Sequence, residues 1–293
     1  MKTRPFSENI NCKAPHLWSR RKAMLAGLAA CCGSVIADDE APHVRVLFLG
    51  NSYTALNGLP AMVGELLLSS GVLAPHIGSY LQASYRLEQH SVDQAALGLL
   101  RQGADDGRPW DVIVVQEQSL LSAAAASKDD ARRIMNGGLA GIVAAARGIN
   151  PEVLVVDFQV WARHQRLWEK KSEEALFTGA SASQALDHIR TANASAVTAA
   201  RQQSLGAQIL ISPVGDFWAQ SLKAHPRLAL HADDGSHPTV AGSYLAALVI
   251  AGSIGGRTVI EKATWHGDCP PEDAARLRKL VLDHPEIFKA ATP

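Results

Sequence analysis

Two short blocks of the chain hold residue types that could do chemistry together, although most of the sequence lies between them. The first is Gly50-Asn51-Ser52-Tyr53-Thr54, which directly follows the aliphatic run Val44 to Leu49. A serine set right after a strand, with a glycine that permits a sharp turn, is presented at the sheet edge and can act as a nucleophile. The same residues also suit an ordinary turn or a helix cap. The second block is Asp234-Gly235-Ser236-His237-Pro238-Thr239. An aspartate shortly before a histidine, on a loop containing glycine, can bond one ring nitrogen while the other faces a nucleophile, as a general base requires. Considered alone, this loop also reads as an aspartate capping a turn beside a histidine left in solvent.

The two blocks can meet only if the chain between them folds back on itself. Short aliphatic runs at Val44 to Leu49, Ile77 to Ala83, Asp111 to Val115, Val153 to Phe158 and Gln208 to Ile211 alternate with helical stretches. That alternation predicts an α/β fold, a single-domain doubly wound and mostly parallel five-stranded sheet with helices on both faces. Leu59, Met62, Val63, Leu66 and Leu67 recur at helical spacing, with Pro60 tolerated in the first turn and Gly71 as a stop. Further helices are predicted over Leu87 to Gln102, Asp129 to Arg147 and Ser183 to Leu205. Thr239 to Ile254 is apolar on almost every face but short for a bilayer span, and reads as a buried core helix. Ser119 to Ser127, rich in Ala and Ser, and Trp161 to Gly179 stand out as insertions after strands, where open sheets place their ligand crevices. Asp216, Phe217 and Trp218 follow the fifth strand and suit either the crevice or the core.

Of 293 residues, 47% are hydrophobic and 19% charged, enough to build a sizeable core, and no repeat or linker divides the chain downstream of its leader. The 28 basic residues balance 28 acidic ones, so no basic field exists to gather nucleic acid or an anionic membrane. Residues 1–37 read as an export signal: Ser19-Arg20-Arg21-Lys22 precedes the apolar run Ala23 to Ala30, which resembles a twin-arginine leader with Ala23 where Phe is usual. Cleavage after Val35-Ile36-Ala37 would leave 38–293 as the mature domain in the periplasm or outside the cell. Leu28-Ala29-Ala30-Cys31 also resembles a lipoprotein box, in which Cys31 would carry a lipid anchor. With Cys12, Cys31 and Cys32 in the leader, only Cys269 remains and no intramolecular disulfide forms.

Together the serine and histidine blocks resemble the SGNH (GDSL-like) hydrolase superfamily, which carries Gly-Asp-Ser or Gly-Asn-Ser after the first strand and Asp-x-x-His near the C-terminus. The likeness is greatest to members reading Gly-Asn-Ser-Tyr or Phe-Thr, with Gln-Glu-Gln-Ser after the third strand, as Gln116-Glu117-Gln118-Ser119 stands here. It spans Val44 to Ile254 and implies Ser52 as nucleophile, His237 as general base and acid, and Asp234 as orienter. Oxyanion donors in this superfamily come from a glycine after the second strand and an asparagine after the third, and neither is present in that form. Ala83-Ser84 stands nearest the glycine, so the expected donors are the backbone N–H groups of Ser52 and Ser84 with the amide of Gln118, or alternatively of Gln116. Strand alternation would put both glutamines on one face and Glu117 on the other, with Gln116 bracing the loop.

The resemblance implies a serine esterase working through an acyl-enzyme, on O-acetyl or other small acyl groups of a small-molecule or polysaccharide substrate. A periplasmic lipase or thioesterase, or a catalytically idle glycan-binding module of the same fold, are the alternatives. No cofactor, metal, nucleic acid or membrane span is expected. His90, His164, His225, His231 and His266 lack metal-ligand spacing and read as surface or structural residues.

Overall fold

The computed structural model describes residues 41–168 and 178–285. The export signal, its Arg20-Arg21 pair, the cleavage and lipidation positions and part of the Trp161 to Gly179 segment lie outside the described residues. The strands are β1 (His43–Gly50), β2 (Ala74–Leu81), β3 (Val112–Val115), β4 (Leu154–Phe158) and β5 (Gln208–Ser212). All pair in parallel, in the order β2-β1-β3-β4-β5. This is a doubly wound sheet whose strand order reverses beside β1, opening a crevice at the carboxyl ends of β1 and β3.

Each central strand is buried on both faces, which is why it reads as an uninterrupted aliphatic run. Val44, Val46 and Phe48 of β1 face one core with Val112, Val114, Val156 and Phe158, while Leu47 and Leu49 face the other with Ile113, Val115 and Val155. The first core is covered by α2 (Leu59–Ser69), α8 (Val214–Ala224), α9 (Val240–Gly255), α10 (Arg257–Lys262) and α11 (Pro271–Asp283). The second lies under α3 (Leu87–Val92), α4 (Gln94–Gln102), α6 (Asp129–Arg147) and α7 (Ala182–Gln203). As expected, α9 is a core helix, with Tyr244 to Ala251 inaccessible throughout. Among the described residues no helix is long and apolar enough to cross a membrane. Cys269 is a buried free thiol.

Three expectations need correction. The predicted helix from Leu87 to Gln102 is two helices, because Asp93 turns its carboxyl back to accept from the N–H groups of Ala95 and Ala96 and so starts α4 anew. Ser119 to Ser127, read as an insertion with no element assigned to it, contains α5 (Ser119–Ala124), capped by the Gln118 side chain. Trp161, expected in an insertion, belongs to the core at 1% exposure; Phe217 and Trp218, for which crevice and core were both open, also lie in the core.

Candidate active site

The loops that follow the strands at their carboxyl ends gather the sequence-predicted residues. Ser52 opens α1 (Ser52–Ala55), with Asn51 as the cap in an extended conformation accepting from Tyr53 N–H. Gly50 is needed for space and not for an unusual dihedral: a Cβ there would stand 2.7 Å from Thr54 Oγ1 and 3.0 Å from Gln116 Oε1. The sharp turn is therefore a close approach of β1 to the next helical turn.

On the loop before α9, the Oδ1 atom of Asp234 accepts from the backbone N–H groups of Ser236 and His237 at 2.8 and 2.9 Å. Gly235 takes φ +73°, a left-handed conformation that glycine adopts without penalty. The geometry brings Ser52, His237 and Asp234 into one line. Ser52 Oγ lies 3.0 Å from His237 Nε2, and His237 Nδ1 lies 2.5 Å from Asp234 Oδ2. Burial works against the charge on Asp234, but the bonds from the His237 ring and the two backbone N–H groups outweigh it, and hold the carboxyl at about 2.

Residues that the sequence reading gave no part in the site hold this line in place. Tyr53 donates to or accepts from Ser236 Oγ at 2.7 Å, and the Trp161 indole N–H donates to the Ser236 carbonyl at 3.0 Å. Trp161 stacks between Tyr53, at 4.6 Å, and Trp218, at 4.0 Å. His231 bonds the Ala162 carbonyl through Nε2, and burial pushes its ring down to about 4, so it is a neutral structural histidine. His164 N–H donates to the Gly235 carbonyl at 2.8 Å. The position of Trp161 just past β4 was the available signal for this buttress.

The segments expected to supply oxyanion donors converge on the same turn. Ser84, in the Ala83-Ser84 pair from which a backbone donor was expected, has φ +63°, the left-handed region. Asn51 Nδ2 donates to the Tyr85 carbonyl at 2.9 Å, tying the Ser84 turn to the Ser52 turn. Gln116 is fully buried, and its Oε1 accepts from Asn51 N–H at 3.0 Å and from Thr54 Oγ1 at 2.9 Å while its amide donates to the Glu117 carbonyl. Gln118 is half-buried, and its Oε1 accepts from Leu121 N–H at 2.7 Å. As alternation expects, Glu117 points away from the partners of Gln116, toward the start of α3, and it is buried there at 1% exposure.

Among the described residues, His76, Asp105 and Asp106 form a group that could hold a metal ion. It lies by the amino ends of β1 and β2, opposite the Ser52 end, and Asp106 is committed to the Arg45 guanidinium. A groove of about 520 Å³ lined by Arg257, His266, Arg278 and Leu282 contains none of the residues around Ser52.

No protein-family model matches the chain, and no curated protein does. Solved structures do. A DUF4886 family protein from Bacteroides uniformis is similar at a TM-score of 0.59 and 20% identity, over 83% of this chain and 94% of that one. A candidate SGNH hydrolase from Slackia heliotrinireducens is similar at a TM-score of 0.51 and 26% identity, over 73% of this chain and 100% of that one. The described domain thus has the five-stranded parallel α/β architecture of its SGNH-like structural neighbours.

Proposed function

We propose that the chain is a serine esterase in which Ser52 is the nucleophile, His237 the general base and acid, and Asp234 the orienter. The observation that carries this reading is the unbroken hydrogen-bonded line from Ser52 Oγ through both His237 ring nitrogens to Asp234. His237 Nε2 takes the hydroxyl proton as Oγ attacks the ester carbonyl, then hands it to the departing alcohol as the acyl–oxygen bond breaks. Water attacks the acyl-enzyme by the same route in reverse, releasing the acid and restoring Ser52. Backbone N–H groups of Ser52 and Ser84 would hold the oxyanion with a glutamine amide. Gln118 suits that role better than Gln116, whose oxygen and amide are both committed to backbone or Thr54 partners.

The substrate reading is an O-acetyl or other small acyl group on carbohydrate, met outside the cytoplasm. It is supported by the leader-like residues 1–37 and by the absence of net charge that would favour a polyanion. The test is hydrolysis by wild type and Ser52→Ala across acyl lengths and acetylated glycans. Preference for acetyl supports the reading; preference for long chains moves it to a lipase or thioesterase. Equal turnover by wild type and Ser52→Ala removes Ser52 as nucleophile, and glycan binding without turnover by wild type favours the idle module. For export, Arg20→Lys with Arg21→Lys should hold precursor in the cytoplasm, since twin-arginine recognition reads guanidinium groups and not charge alone.

A further inference from the structure

Beside the proposed site lies a carboxyl that the acyl-transfer scheme does not use. Glu117 sits just past β3, inaccessible to solvent, where a packing role alone would be better served by an apolar side chain. Its oxygens accept from Leu87 N–H at 3.3 Å and from Gln118 N–H at 2.6 Å. Leu87 opens α3 directly after Ser84-Tyr85-Arg86, so one carboxyl spans the two segments that carry the proposed Ser84 and Gln118 donors. From the other side, Asn51 fixes the same turn to Ser52.

We propose that Glu117 is a positioning residue whose ionised carboxylate sets the spacing of the oxyanion donors, so that turnover depends on its charge. The proposal rests on the serine-esterase reading. Both bonding partners of the carboxyl are N–H donors, which a carboxylate can accept on either oxygen. A protonated carboxyl places an O–H among those donors and gives up part of that acceptance.

The groups that act on Glu117 come from several elements. Burial raises it most, the N–H groups of Gln118 and Leu87 lower it, Asp157 on β4 raises it, and Arg86 ahead of α3 lowers it; together they push it up to about 8. Its ionisation therefore falls where esterase activity can be measured. Below that pH the group is protonated and kcat is low; above it the clamp is complete.

The experiment is kcat and KM for an activated acetyl ester between about pH 6 and pH 9.5, with background hydrolysis subtracted, for wild type, Glu117→Gln and Asp157→Asn. Wild-type kcat should rise through an ionisation near 8. Glu117→Gln should lose that rise and fall roughly 10–100-fold in kcat at high pH with KM little changed, less than the loss of a whole oxyanion donor. Asp157→Asn should move the rise to lower pH and keep the plateau, because it removes a like charge. A Glu117→Gln enzyme with the wild-type profile overturns the proposal, as does one that loses kcat equally at every pH. If Glu117→Gln does not fold, an unmoved profile in Asp157→Asn overturns it instead. Ester turnover that survives Ser52→Ala marks failure of the esterase reading and not of the clamp alone.

Discussion

Trp161 lies flat against Tyr53, ring centroids 4.6 Å apart and planes within 2°, and this pair joins the strand that presents Ser52 to the loop that presents His237. Tyr53 follows Ser52 in sequence and meets the His237 ring edge-on at 5.5 Å, while Trp161 bonds the carbonyl of Ser236. The serine-to-histidine distance is thus held by a buried aromatic stack as well as by loop conformation.

Truncating the stack should damage stability and turnover together. Trp161→Ala is expected to cost about 3–5 kcal/mol, the usual range for emptying a buried aromatic site. Trp161→Phe should keep most of the stacking but release the Ser236 carbonyl, giving a smaller loss of stability and a fall in kcat larger than any change in KM. Thermal denaturation with steady-state kinetics checks both. Unchanged kcat in Trp161→Phe would reduce the indole to a packing role.

The triad residues should act as a unit. His237→Ala is expected to lose nearly as much ester turnover as Ser52→Ala, and the double variant little more than either, because each removes the same step. Asp234→Asn should lose somewhat less: the amide can still accept from the backbone N–H groups but presents a donor to Nδ1 and favours the wrong tautomer. Losses that simply multiply in the double variant would argue for independent roles.

The two glutamines should separate by what they disturb. Gln116→Ala strands the buried Asn51 N–H, which costs about 1–3 kcal/mol, and loosens the Ser52 turn. Gln118→Ala should leave stability nearly intact, losing only a cap on α5, yet lower kcat by about 10²–10³ with little effect on KM. Melting temperatures and kcat for both variants decide it. A Gln118→Ala enzyme with normal kcat would leave the oxyanion to backbone donors.

The central strands were legible because they are buried on both faces and so read as aliphatic runs; β1 and β4 lie within a residue of expectation, as does the half-buried edge strand β5. The positions of Ser52 and His237 at loop ends were legible for a related reason, since strand ends and the start of α9 are marked by abrupt changes in polarity. What the sequence hid is pairing across loops. Nothing in Gln116-Glu117-Gln118 tells that the first residue supports Asn51 and the second reaches Leu87, because those partners come from β1 and α3. Likewise α8 was missed because Phe217 and Trp218 are buried against neighbours distant in sequence, among them Trp161 and Leu230.

Buried carboxyls give stability a definite pH slope. Asp157 is inaccessible and receives one bond, from Asn193 Nδ2 at 2.7 Å, and burial pushes it up to about 7 despite that bond. A carboxyl raised in the folded state keeps its proton while the unfolded chain has already lost it, so stability falls as pH rises from about 4 towards the folded value, and levels off above it. Glu117 has the same sign and extends the slope to about 8. Asp157→Asn should therefore flatten the fall in melting temperature between about pH 5 and pH 8. An unchanged slope would mean that Asp157 is not the proton carrier.

Ser84 offers the cleanest separation of backbone from side chain. It is an exposed non-glycine residue at φ +63°, in a region that costs an L-residue roughly 1 kcal/mol or more and glycine almost nothing. Glycine also widens the unfolded ensemble, which returns part of that gain, so Ser84→Gly should be neutral to slightly stabilising. The proposed contribution of this position to the oxyanion is a backbone N–H, which glycine retains. Turnover by Ser84→Gly should therefore match wild type, whereas Ser84→Pro, which lacks the N–H and cannot adopt a positive φ, should lose both stability and kcat. Steady-state kinetics on an acetyl ester and thermal melts of the two variants test this directly. A large fall in kcat for Ser84→Gly would transfer the role from the peptide group to the hydroxyl.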